Sequence, residues 1–91
     1  MTRPIPVDVL ARLESHERWQ STYPKQGTLL EWEDADLHEL DLSHRNLMDA
    51  VLPGANLDGA LLRSTNLSGV NLAEASLVRA VLDGANLGRA E

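Results

Sequence analysis

Leucine stands at positions 37, 42, 47, 52, 57, 62, 67, 72, 77, 82 and 87, eleven times at intervals of five with no exception. A helix advances about 100° per residue, so a five-residue step would turn each leucine by roughly 140° and scatter the set around the cylinder. A straight strand alternates its faces, so an odd period would send successive leucines to opposite sides. The pattern keeps every leucine inside only if the chain turns a corner once per repeat. Four corners of about ninety degrees then close a coil of roughly twenty residues.

The expected fold is therefore an all-β, four-sided solenoid. The residue two before each leucine is Ala at 35, 50, 55, 60, 75, 80 and 85, with Thr65 and Val70 only modestly larger. Four leucines per coil leave room inside for small neighbours only. The residue just before leucine is polar at Asp36, Asp41, Asn46, Asn56, Asn66, Asn71, Ser76 and Asn86, as an outward position should be. Pro53-Gly54 marks a corner, because proline pre-sets the second position of a type II turn and glycine supplies the positive φ of the third.

The stretch from 35 to 90 resembles the pentapeptide-repeat family, whose pattern A(D/N)LXX is matched outright by Ala55-Asn56-Leu57-Asp58-Gly59 and Ala85-Asn86-Leu87-Gly88-Arg89. That resemblance implies a right-handed quadrilateral β-helix. Eleven repeats at four to a coil make about 2.75 coils, in which residue n lies over n+20. Leu37, Leu42, Leu47, Leu52, Leu57, Leu62 and Leu67 are the expected structural core.

Residues 1–34 form the expected capping segment and 35–91 the repeat rod, together one structural unit. After an extended lead-in at Thr2-Arg3-Pro4-Ile5-Pro6, the spacing of Val9, Leu10, Leu13 and His16 predicts a helix from about Val7 to Gln20. Asp8 with Arg12 and Glu14 with Arg18 are spaced i,i+4 on it. The helix should stop near Ser21, since Tyr23 precedes Pro24 and Lys25-Gln26-Gly27 is turn-forming. Trp32 lies five before Leu37 and reads as a degenerate first repeat, with Leu30 in the inward slot before it. The run from Leu13 to Trp19, followed by a loop and the first Ala-Asp-Leu, resembles the helix that precedes the repeats in many bacterial members of the family. A short N-terminal α-helical cap containing Leu13, Trp19 and Trp32 would cover the leucine-floored first coil, as repeat proteins require.

Leu40 and Arg45 occupy slots meant for small inward residues. A charge deep in the tube would cost several kcal/mol, so Arg45 is expected at the end of the tube, reaching an acid of the cap such as Glu31, Glu33 or Asp34.

No catalytic, cofactor or metal site is expected. A tube packed with leucine and alanine offers no concavity for catalysis. Asp41, Ser43 and His44 are neighbours on one side and its corner, which point apart, and His38, Glu39 and His44 lie on two different faces with no recognised ligand spacing. Asn46, Asn66 and Asn86 form a column whose amides could ladder down the coil. The chain has no cysteine and no run of eighteen apolar residues, so a cytoplasmic protein without disulfides or membrane span is expected.

The expected function is that of a non-enzymatic protein-binding or scaffold module. Leu61 and Val81, outward and stacked on one face, are candidate partner contacts. Leu72, Leu77, Leu82 and Leu87 would floor the last coil, ringed by unpaired strand edges. A homodimer through that C-terminal coil, or a protein partner replacing it, is expected. A purely structural appendage of a larger complex is a further alternative.

The family resemblance implies another reading, since some members are acidic rods that resemble duplex DNA, bind DNA gyrase and protect it from quinolones or peptide toxins. The net charge of −6 is mild, and neither half is a basic nucleic-acid binder, so no direct contact with nucleic acid is expected. A rod of about 13 Å matches a length of duplex carrying about eight phosphates. Residues 35–91 offer eight acids but also Arg45, Arg63, Arg79 and Arg89, which makes a single copy a poor mimic.

Overall fold

A computed structural model describes residues 2–22 and 26–90. The turn expected at Tyr23-Pro24 and Lys25 lies outside the described residues. Helix α1 spans Val7–Ser21. Proline at position 6 suits a helix start, where an N–H would lack a partner, and its carbonyl accepts from Leu10 N–H at 2.9 Å. At the other end Thr22 Oγ1 donates to Arg18 O (2.6 Å) and accepts from Gln26 N–H (2.8 Å), closing the last turn. Val9, Leu13 and His16 are buried and Leu10 half-buried, so the expected face is the packed one.

From Glu31 onward the chain winds with a period of twenty residues. Parallel bridges join Glu31 to Val51 and Val51 to Asn71, Asp36 to Asn56 and Asn56 to Ser76, Asp41 to Leu61 and Leu61 to Val81, and Asn46 to Asn66 and Asn66 to Asn86. Four columns result. Each bridge is a reciprocal pair of the kind Leu47 N–H to Asn66 O (2.8 Å) and Asn66 N–H to Arg45 O (3.0 Å). Leu37, Leu42, Leu47, Leu52, Leu57, Leu62 and Leu67 are all at most 1% exposed, and the inward alanines between them are buried. Thr65, also buried, donates its hydroxyl proton to Leu42 O at 2.8 Å. Trp32 joins the register, its N–H donating to Val51 O at 2.8 Å.

The all-β fold class is corrected by the structure. Among the described residues there is no strand and no sheet: every bridge is isolated, and the only regular element is α1. The reason lies in the repeat length. Two of every five residues form the turn, as at Pro53-Gly54 and Asp58-Gly59, and of the three left one alone pairs, which is too short a side for the consecutive pairs of a ladder. The right-handed quadrilateral β-helix is thus replaced by a coil of single bridges and turns that carries one 15-residue helix at its start.

The turns impose a rule that the glycines only hint at. The second residue after each leucine has positive φ throughout, with Gly54 at 72° but also Glu39 at 55°, Asp49 at 65° and Arg79 at 60°. A Cβ built on Gly54 would stand 2.1 Å from Asp34 Oδ1, one coil below. Glycine there serves both the turn and the Asp34 side chain folded over it.

The polar residue before leucine has a local duty. Asn66 Oδ1 accepts from Ser68 N–H at 3.0 Å, and Asn46, Asn56, Asn71 and Asn86 do the same for the residue two ahead at 3.0 to 3.1 Å. The amides of the column at 46, 66 and 86 therefore brace their own corners rather than bonding to one another. At two corners without an Asn or Asp in that place the coil below supplies the acceptor: Ser43 Oγ accepts from Arg63 N–H (3.2 Å), and Asp58 Oδ1 from Val78 N–H (3.0 Å). Val51 needs no substitute, because Pro53 has no N–H to satisfy.

Asn66→Ala should accordingly cost about 0.5 to 1.5 kcal/mol, whereas Val51→Asn should gain nothing from this bond. Urea midpoints of the two variants check this, and an unchanged midpoint for Asn66→Ala would overturn the bracing role.

Candidate interaction surfaces

The two ends of the coil differ. At the start, Arg3 N–H donates to Glu39 O (2.8 Å), its Nε to His38 O (2.7 Å) and its Nη2 to Asp36 O (3.3 Å), so residues 2–6 lie along the first coil. Asp36 also bonds the His38 ring, and this bond holds its carboxyl below the usual carboxylate range. Asp41 is likewise lowered, by the Ser43 N–H it accepts. Ser43 Oγ is turned to Arg63 N–H, away from any arrangement with His44.

Helix α1 covers another part of the first coil. Arg45 reaches Glu17 at 2.9 Å, not Glu31, Glu33 or Asp34. It does leave the tube for an acid of the cap, but the acid comes from the helix, whose third turn crosses this side of the coil. Glu17 Oε2 also accepts from Asn46 N–H at 3.4 Å. Arg12 stands 4.2 Å over the Trp32 ring, so its guanidinium serves the junction with the coil and not the Asp8 spaced four before it.

His16 is the centre of that junction, 0% exposed. Its Nδ1 accepts from Leu30 N–H at 3.0 Å, and its Nε2 donates to Met48 O, also at 3.0 Å. Gln20 Nε2 donates to the same carbonyl at 2.6 Å. Burial pushes the His16 ring below its ordinary value of 6.5, opposed by the bond to Met48 and the charges of Glu17 and Asp49. The sequence shows His16 on the apolar face of α1, but nothing in its spacing shows what the two ring nitrogens meet. Leu13 is buried, and Trp19 and Trp32 are half-buried at the same junction.

Towards residue 90 the described coil is less enclosed. Exposure of the inward leucines rises from 1% at Leu67 through 8% at Leu72 and partial burial at Leu77 and Leu82 to 44% at Leu87. The N–H groups of Leu72, Leu77, Leu82 and Leu87 find no backbone acceptor among the described residues, although their counterparts one coil below all do. Glu74, Arg79, Asp83 and Arg89, all exposed, surround this end. Leu61 and Val81 are bridged to each other above Asp41, as the period places them, and both are half-buried. Val51 is half-buried on its own face, while Val78 is 56% exposed.

No helix among the described residues is long and apolar enough to cross a membrane. In comparison with known proteins, no curated protein matches the chain. The family model described as pentapeptide repeats matches it over residues 33–69 and 60–91, in eight copies. With that match running from the first bridged coil to the last, on a backbone that returns to register every twenty residues, the chain belongs to the pentapeptide-repeat family.

Proposed function

We propose that this repeat protein is a non-enzymatic binding module whose less enclosed coil end docks a protein surface, and that the surface is a second copy of the same end. The observation that supports the reading is the row of leucine N–H groups at 72, 77, 82 and 87 that find no backbone acceptor among the described residues, beside side chains of increasing exposure. An apolar floor ringed by unpaired donors and acceptors is a template for another edge. A twofold join of two such ends closes on itself and covers both floors. Glu74 and Asp83 on one copy then have Arg79 and Arg89 of the other within the same rim. The capped start of the coil, occupied by α1 and residues 2–6, offers no equivalent edge for head-to-tail growth.

Sedimentation equilibrium at tens of micromolar tests this. The protein should sediment as a dimer and Leu87→Lys as a monomer; since Leu87 is already 44% exposed, lysine there should leave the fold intact. Leu61→Arg, on the side of the coil, should leave the dimer unchanged. A monomeric parent protein would rule out the self-association, and dissociation by Leu61→Arg with Leu87→Lys still dimeric would move the contact to the side face.

A further inference from the structure

We propose that His16 is a proton-operated latch, holding α1 on the first coil only while its imidazole is neutral. The hydrogen bonds specify the protonation state. A backbone N–H can only donate and a carbonyl can only accept, so Leu30 N–H at 3.0 Å requires a bare Nδ1 and Met48 O at 3.0 Å requires a proton on Nε2. The ring thereby ties three pieces of chain together: the helix, the segment entering the coil and the corner at Met48. A second proton would sit on Nδ1 facing the Leu30 N–H, donor against donor. With His16 0% and Leu30 5% exposed, water cannot replace the lost bond while the helix stays docked.

The surrounding charges do not reverse this. Glu17 on α1 favours a cationic ring, but it is already engaged by Arg45. Asp49 of the coil favours the cation weakly, from an exposed position. Glu31, next to Leu30, is exposed. Trp19, stacked on His16 at 6.0 Å between centroids, would attract an imidazolium. Burial outweighs these and the ring is held below 6.5.

The direction of the pH effect follows. The undocked ring titrates near 6.5 and the docked ring lower, so the undocked state binds the extra proton first. Docking is at full strength above 6.5, weakens as pH falls through that value, and stops weakening only below the docked pKa. Between the two values the undocking constant rises by up to about tenfold per pH unit. Release uncovers Val9 and Leu13 of the helix and Leu30 beside His16, all buried in the docked state, so acidification would turn the closed end of the coil into a second apolar end.

Amide hydrogen exchange on the full chain from pH 7.5 to 5.5 reads the latch directly. The protection factor of the Leu30 amide should fall by severalfold or more, while that of Leu62, bonded to Val81 O at 2.8 Å inside the coil, should hold. In His16→Gln, whose side chain is neutral throughout, Leu30 protection should be independent of pH over this range. A fall of equal size in His16→Gln would overturn the proposal, because the responsible group would then lie elsewhere. Should that variant fail to dock its helix, ring nitrogen shifts of the parent protein decide: a neutral ring protonated on Nε2 and titrating below 6.5 supports the latch, and a His16 titrating at or above 6.5 with Leu30 still protected overturns it.

Discussion

Replacing Leu57 with alanine should lower the stability of the whole chain by about 2 to 5 kcal/mol, with the urea midpoint falling accordingly. Leu57 is 1% exposed, with Leu37 below it in the same column and Leu77 above. Its backbone is held on both sides, by Leu57 N–H to Ser76 O at 2.8 Å and Ala60 N–H to Leu57 O at 3.0 Å. The neighbours Ala55 and Ala60 have no side chain long enough to fill the space. The void should therefore persist, and the cavity adds to the lost transfer energy. Leu77→Ala is the internal comparison: Leu77 is already half-buried, less apolar surface is at stake, and its loss should be smaller. A cost under about 1 kcal/mol for Leu57→Ala would show that the inward register is wrong.

The register was legible because geometry leaves a five-residue period one way to keep its leucines inside. That is why Leu37 through Leu67 are found in the core and why Asp41, Leu61 and Val81 stack. The absence of strands was not legible from the leucines. It depends on how many residues each corner consumes, which shows only in the positive φ of residues such as Glu39, Asp49 and Arg79 that do not advertise a turn as Gly54 does. The alternation of Asn with leucine suggested an outward column, and the bond from Asn66 Oδ1 to Ser68 N–H explains the residue type more narrowly. At the cap, the period of α1 identified the buried face, yet it could not give the azimuth at which a helix crosses a coil. Arg45 therefore pairs with Glu17 where the chain order suggested Glu31, Glu33 or Asp34, and the part played by His16 appears only once Leu30 and Met48 are beside it.

Leu13→Asp should detach the cap. Leu13 is 1% exposed on the packed face of α1, between Val9 and His16. A carboxylate there would lose the apolar burial of leucine, and of the nearby arginines Arg45 is taken by Glu17 and Arg12 lies over Trp32. The combined penalty is about 3 to 5 kcal/mol against docking. The helix cannot survive that loss on its own: it has 15 residues and no side-chain cap at Pro6, and isolated helices of this length are marginal in water. Undocking and melting should therefore coincide. Far-ultraviolet circular dichroism should lose the signal at 222 nm, and iodide should quench Trp19 and Trp32 freely, where in the parent protein their half-buried rings resist it. The coil beyond the first turn is paired independently of α1, through bonds such as Leu52 N–H to Asn71 O and Leu62 N–H to Val81 O, both 2.8 Å, and nearest-neighbour stacking lets it persist. Retained helix signal with shielded tryptophans in Leu13→Asp would mean that the contacts of His16, Glu17 and Arg12 hold the cap without the apolar face.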